Sequence, residues 1–285
     1  MKRNIYDSDK ENEWCPGCGN FGILNALKDA LVELGIPPHK VLFVAGIGQA
    51  AKTPHFLKCN LFHGLHGRAL PVAAGAKMAN RDLTVLVSTG DGDCYGEGGN
   101  HFINAIRRNM DLTVLVHNNK VYGLTKGQAS PTSDTGMITK AQPQGVSVDS
   151  FNPLAIAIAL NAGFVARGYV GYREHLCQLV QKAVRHRGFS LVDVLQVCVS
   201  FNHDNTYDWY NDRVYDLAEA NHDSLDASLA LERAREWGKR IPIGVFFQKD
   251  TPISSAQLSS PERPPLVDQP YDPGILRDLL KNLYD

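Results

Sequence analysis

Two short polar clusters in this chain hold the residue types that bind a phosphate and its metal. Gly90-Asp91-Gly92-Asp93 closes an apolar, β-branched run, Thr84 to Thr89, and Asn118-Asn119 closes a second run, Leu112 to His117. Asp91 and Asn119 are 28 positions apart, which leaves room for a helix over about 99–108 to cross between two parallel strands. Open α/β sheets gather their ligand sites at the C-terminal ends of strands. The crossover therefore returns a carboxylate and an amide oxygen to one edge of the sheet. Hard oxygen donors there suit Mg²⁺, which also takes oxygens from a phosphate. Gly92 and the glycines at 96, 98 and 99 let the backbone approach a diphosphate, with the N-terminus of the next helix pointing at it.

Cysteine supplies the second chemistry. Cys15-Pro16-Gly17-Cys18 is a tight C-x-x-C turn whose backbone N–H groups are free to face sulfur. It suits Zn²⁺ or an iron–sulfur cluster. A redox pair of the thioredoxin kind is the other functional reading, but the helix and strand context of that fold is not evident around it. Cys198 follows a strand run over 189–194. Strand ends converge in space, so it is a candidate third ligand, with a buried apolar cysteine as the competing reading. Gly46-Ile47-Gly48-Gln49 ends the first strand run. Lys52, within one turn of it, either holds a substrate carboxylate as a point charge or is a solvated lysine. His63, His66 and Arg68 stand before a helix, where they can bind an anion; His66, beside Gly67, is the better placed histidine.

The elements that must position these groups alternate strand and helix, which predicts an α/β fold with a parallel sheet flanked by helices. Strands are expected at 41–45, 83–89, 112–117, 164–166 and 189–194, with a last apolar run at 241–247. Helices are expected at 21–34 with Asn20 as its cap, and at 69–80, 99–108, 153–161 and 173–185. Helical patterns recur near 211–220 and 223–238. Residues 249–272 are proline-rich and read as an extended arm, before a short helix at 274–283. The expected division is a phosphate-binding α/β domain over 1–200 and a C-terminal extension over 201–285.

Composition narrows the class. Hydrophobic residues are 44% and charged residues 21% of the 285, with a formal net charge of −1, as in a soluble globular protein. No basic stripe with interleaved aromatics argues for nucleic acid. No apolar run approaches the length of a membrane span, and the polar N-terminus lacks the apolar centre of a secretory signal. These features point to the cytosol, where six cysteines read as thiols or metal ligands before disulfides.

In combination, WCPGCG (14–19), GIGQAAK (46–52), LHGRALPVAAGAKMAN (65–80), GDGD (90–93), GGNHFINAIRRN (98–109), HNNKVYGLTKGQASPT (117–132) and Cys198 resemble the β subunit of the 2-oxoacid:ferredoxin oxidoreductases, of the two-subunit kind that act on 2-oxoglutarate or related acids. GDGD followed by the Asn pair resembles the wider thiamine diphosphate signature. The resemblance implies a thiamine diphosphate-binding fold and decarboxylation of a 2-oxoacid. Electrons would pass through a [4Fe–4S] cluster to ferredoxin, and coenzyme A would take the acyl group. It implies that Asp91, Asn119 and the Val121 carbonyl hold Mg²⁺, and that Gly92, Asp93, Gly123 and Leu124 line the diphosphate. Ile47, Gly48 and His66 would lie at the cofactor, and Lys52 at the substrate carboxylate. Cys15, Cys18 and Cys198 match cluster ligands of the family, but Gln49 stands where a further cysteine is usual. Cys59 is the first substitute and Cys94 the second, with Cys177 expected in the core. Only one diphosphate-type unit is legible, so an obligate α subunit is expected to bring the other half of the cofactor site. A non-oxidative thiamine-dependent decarboxylase or transketolase-like subunit would share GDGD and the Asn pair without needing the cysteines. A zinc-binding interaction module on a degenerate α/β domain would use the cysteines but need neither GDGD nor the Asn pair.

Overall fold

The computed structural model describes residues 4–253, 264–270 and 272–284. The chain runs α1 (Asn20–Glu33), β1 (Val41–Ala45), β2 (Asn60–His63), α2 (Ala69–Ala79), β3 (Thr84–Gly90), α3 (Gly99–Arg107), β4 (Leu112–Asn118) and a small hairpin, β5 (Val121–Tyr122) with β6 (Gln128–Ala129). It continues through α4 (Pro153–Ala159), β7 (Phe164–Tyr169), α5 (Arg173–Arg185), β8 (Phe189–Leu195), α6 (Tyr207–Asn211), β9 (Val214–Asp216), α7 (Ala227–Ala234), β10 (Ile241–Gln248) and α8 (Pro273–Tyr284). Eight strands form one sheet in the order β2-β1-β3-β4-β8-β7-β10-β9. The first six are mutually parallel, and β10 joins antiparallel to β7. This is the α/β sheet flanked by helices that the alternation predicts.

Residue alternation along each strand decides which helices cover which face. Phe43, Leu86, Leu115 and Val192 are packed with α1 and α5 on one side. Val44, Val85, Val87, Val114, Val116 and Leu191 are packed with α2, α3, α4 and α7 on the other. Both faces are buried, which explains the continuous apolar runs. α1 buries Ile23, Leu24, Leu27 and Leu31, each worth about 1.5–3 kcal/mol of transfer free energy. Among the described residues no helix is long and apolar enough to cross a membrane.

Two expectations are corrected, and two elements were not foreseen. Asn20 does not cap α1: Gly19 holds the cap position, and Asn20 is buried with its Oδ1 2.8 Å from His117 Nδ1. The helical pattern at 211–220 gives way to α6 and the strand β9, which pairs with β10. Ile241 fixes this pairing against Val214, so a tertiary contact overrides the local pattern. The edge strand β2 was not foreseen, because all four of its residues are exposed and no apolar period marks it. Finally, a π-helical turn, Gly92–Glu97, begins inside the GDGD cluster and leads to α3. Part of the proline-rich arm, 254–263 and 271, lies outside the described residues.

Candidate functional site

β1 and β3 are neighbours, and the connections that leave them run in opposite directions across the sheet. Such a switch point opens a crevice at the carboxyl ends of the strands. Gly90 pairs with His117, so Asp91 and Asn119 leave the sheet on adjacent strands. Ile47, Gly48, His66, Asp91, Gly92, Asp93, Asn119, Val121, Gly123 and Leu124 line one cavity there. A Cβ built at Gly48 or Gly90 would meet nothing within 4 Å, so the backbone is left open at both. Gly48 has φ of +125°, which a side chain would also oppose.

The two aspartates of the GDGD cluster do different work. Asp93 is buried and saturated. Its Oδ1 accepts from the N–H groups of Ile47 (3.2 Å) and Gly67 (2.7 Å) and lies 2.5 Å from His66 Nδ1, and its Oδ2 accepts from Thr89 Oγ1 at 2.6 Å. It ties the loop after β1 to the loop before α2. Asp91 is also buried, but the side chains of Ser130 (Oγ, 2.5 Å) and Thr132 (Oγ1, 2.6 Å) both donate to its Oδ2. Asn119 folds the next turn by accepting from Val121 N–H at 3.1 Å. Lys120 between them has φ of +62°, a strained conformation for a non-glycine residue. Its Nζ, 2.9 Å from Asp134, and its carbonyl, which accepts from Ser133 Oγ, hold it there.

Burial pushes the Asp91 carboxyl up to about 6, against the pull of the Ser130, Thr132 and Gly92 donors. The folded group holds its proton where the unfolded one has lost it. Its contribution to stability is thus full below the unfolded value and lost as pH rises through about 6. A cation needs the ionised form. If Asp91 is a ligand of Mg²⁺, affinity for the metal with thiamine diphosphate should therefore fall about tenfold per unit as pH drops below that point. Calorimetric titrations across the range check this; a flat profile would mean that another group carries the metal.

A second cavity adjoins the first. Cys15, Cys18 and Cys198 line it with Asn20, Gln49 and Gln196. Gln49, Asn119 and Gly123 line both cavities. Ser200 Oγ lies 3.1 Å from Cys15 Sγ and Gln196 Nε2 3.5 Å from Cys18 Sγ. Burial, with Cys198 and Cys15 adding to it, pushes the Cys18 thiol up to about 11. Asn20 Nδ2 and Gln196 Oε1 are buried without hydrogen-bond partners. A cavity with three thiols and an orphaned amide donor fits a group that takes thiolates and accepts hydrogen bonds at sulfur. Among the described residues no three His, Cys, Asp or Glu side chains converge as ligands of one ion; an iron–sulfur cluster takes one thiolate per iron and spreads its ligands wider.

The structure does not bring Cys59 or Cys94 to this cavity. Cys59 precedes β2, whose Asn60 pairs with Leu42 and His63 with Ala45. Parallel pairing puts Cys59 level with the start of β1, about 13 Å from the end that carries the site. Cys94 is buried in the π-helical turn beside Asp93. Cys177 is in the core, as expected. Lys52 Nζ lies 3.5 Å from Glu13 Oε2, and Glu13 lines the cysteine cavity.

Ser130, Thr132, Lys120 and Asp193 were not singled out from sequence. Asp193 accepts from Asn118 Nδ2 (3.2 Å) and Tyr95 OH (2.8 Å), and so anchors the strand end that presents Asn119. Ser130 and Thr132 fall at the end of the motif at 117–132, which marked the stretch without marking these two side chains.

Residues 41–194 match the family described as thiamine pyrophosphate enzyme, C-terminal TPP binding domain. The fold and the cavity at the switch point are thus those of a thiamine diphosphate-dependent enzyme. Residues 198–261 match pyruvate ferredoxin oxidoreductase β subunit, C terminal. The chain is 46% identical over 271 residues to the 2-oxoacid:ferredoxin oxidoreductase subunit beta of Saccharolobus solfataricus, covering 91% of this chain and 89% of that one. It is 45% identical over 208 residues to a 2-oxoglutarate oxidoreductase subunit of Mycobacterium tuberculosis, covering 73% of this chain and 56% of that one. It superposes on a 2-oxoglutarate:ferredoxin oxidoreductase chain from Magnetococcus marinus with a TM-score of 0.89 at 37% identity, over 98% of this chain and 96% of the other. The chain belongs to the β subunits of the 2-oxoacid:ferredoxin oxidoreductases. It is one subunit of an oxidoreductase that binds thiamine diphosphate and works with an α subunit.

Proposed function

We propose that the assembled enzyme decarboxylates 2-oxoglutarate oxidatively, forming the coenzyme A thioester and passing electrons through a [4Fe–4S] cluster to ferredoxin. The observation that carries this reading is the shared wall: Gln49, Asn119 and Gly123 line both the diphosphate cavity and the cysteine cavity. Two cofactors so placed suit electron transfer from one to the other. The choice of 2-oxoglutarate draws on the Magnetococcus enzyme, described with 2-oxoglutarate, coenzyme A and succinyl-CoA bound, and on the Mycobacterium relative.

When bound, thiamine diphosphate supplies the electron sink for decarboxylation, and the cluster supplies the one-electron relay. Asp91, the Asn119 side chain and the Val121 carbonyl would hold Mg²⁺, with Gly92, Gly123 and Leu124 beside the diphosphate. Asp93 positions Ile47, Gly67 and His66 around it. Cys15, Cys18 and Cys198 would hold the cluster. Lys52 would leave Glu13 for the substrate carboxylate.

The test is anaerobic co-purification with the co-expressed α subunit, followed by assay with 2-oxoglutarate, coenzyme A, thiamine diphosphate and ferredoxin. Thioester with matched ferredoxin reduction is expected; aldehyde release without electron transfer would favour a non-oxidative decarboxylase. In the same assay Lys52→Ala should raise KM for the 2-oxoacid about 10–100-fold, the loss of one charge-assisted contact. Thiamine diphosphate affinity should not change. An unaltered KM would remove Lys52 from the substrate site.

A further inference from the structure

A four-iron cluster has four corners, and cysteine usually fills each. The cavity offers three thiols, Cys15, Cys18 and Cys198. None of the other three cysteines lines it. Cys59 is at the opposite edge of the sheet, Cys94 is buried beside Asp93, and Cys177 lies on α5 within hydrogen-bond reach of Gln181. The remaining polar wall is mostly amide, from Asn20, Gln49, Asn119 and Gln196; its other oxygens are engaged, Glu13 with Lys52 and Ser200 with Cys15 Sγ. Gln49 stands on the side shared with the diphosphate cavity, packed toward Gly123, where a Cβ would sit 3.7 Å from Gln49 Cγ. The orphaned amide atoms, Asn20 Nδ2 and Gln196 Oε1, are on the same lining. An amide oxygen is a hard, neutral donor and a poor match for the sulfur-rich iron that thiolate serves.

We propose that this subunit holds its cluster by three thiolates only, and that the iron at the Gln49 corner is exchangeable. The inference rests on the cluster reading above and deepens it. Gln49 is on the side shared with the thiamine cavity, so the weakly held iron would face that cofactor, and Asn20 Nδ2 would be free to donate to a cluster sulfur. A one-electron outer-sphere oxidant, ferricyanide, takes one electron from the 2+ cluster and becomes ferrocyanide. The 3+ cluster then releases Fe²⁺, leaving three irons, four sulfides and a charge of 1+. Ferrous ion with a reductant reverses the step.

The experiment uses the anaerobically co-purified αβ enzyme, with iron and acid-labile sulfide counts and EPR before and after stoichiometric ferricyanide. Wild type should fall from about four to about three irons per αβ pair at unchanged sulfide, gain a three-iron EPR signal, and recover on adding Fe²⁺ and dithionite. Gln49→Cys supplies the fourth thiolate and should keep all four irons through the same treatment. Cys198→Ser should lose iron and sulfide together. Wild type that keeps four irons as firmly as Gln49→Cys would overturn the proposal, as would a cluster that assembles only in Gln49→Cys. Absence of iron and sulfide from both would instead defeat the cluster reading on which it rests. Recovery of zinc in their place would do the same.

Discussion

Asp91→Asn should lower the affinity for Mg²⁺ with thiamine diphosphate by about 100-fold or more while leaving the unliganded fold as stable as wild type or more so. Removing a unit charge beside a divalent cation costs about 3 kcal/mol or more at the effective dielectric of a partly buried site, and 1.4 kcal/mol is tenfold in affinity. The unliganded fold responds in the opposite sense. Asp91 is buried, and its carboxyl is pushed up to about 6, so the ionised form is a cost the empty site carries at neutral pH. Asn keeps an oxygen for the Ser130 and Thr132 hydroxyls and removes the charge. Sites built for a ligand often hold such destabilising groups. Denaturant midpoints of the co-purified enzyme, with and without the cofactor, separate the two effects. The cofactor-induced rise should vanish in the variant and the unliganded midpoint should not fall. A variant that binds the cofactor as wild type does would release Asp91 from the metal.

What could be read in the sequence divides along a physical line. Buried parallel strands are continuous apolar runs because both faces are covered, so β3 and β4 stand within a residue of the runs ending at Thr89 and His117. The spacing of GDGD and the Asn pair leaves room for the crossover, and in the structure Gly90 pairs with His117. Contacts that depend on where the chain returns were not legible. Asn20 looks like a helix cap, yet its partner is His117, 97 residues on. Thr132 meets Asp91 from 41 residues away. β2 and β9 are short strands, fully or partly exposed, and have no apolar period to betray them. Cys59, the first substitute by sequence, lies just before the His63–Arg68 segment. Strand polarity reverses that: β2 runs parallel to β1, so the residue before it starts at the wrong edge of the sheet. Sequence proximity to a motif is a poor guide across a strand for this reason.

Asp93→Ala, two positions from Asp91, should destabilise the protein by about 3–5 kcal/mol whether or not cofactor is present. Its carboxylate holds two backbone N–H groups, Ile47 and Gly67, the Thr89 hydroxyl and the His66 ring. A buried donor left without an acceptor costs about 1–3 kcal/mol, and Ala strands more than one. Gly46 packs directly on this group: a Cβ there would overlap the Asp93 carboxylate. That close approach gives an independent route to the same defect. Gly46→Ala should displace the carboxylate and lower the midpoint similarly, and the double variant should fall well short of the sum, because both changes break one network. Asp93→Asn should lie between wild type and Ala, keeping one acceptor oxygen and turning an N–H toward donors. Denaturant unfolding of the four proteins checks the set. If Asp93→Ala unfolds at the wild-type midpoint, or if the Gly46 and Asp93 changes add in full, then the loops after β1 and before α2 are held by something other than this carboxylate. Together with Asp91→Asn, the series asks whether two carboxylates separated only by Gly92 serve opposite ends, one buried at a cost so that a cation can be bound, the other buried at a gain because four protein groups already occupy it.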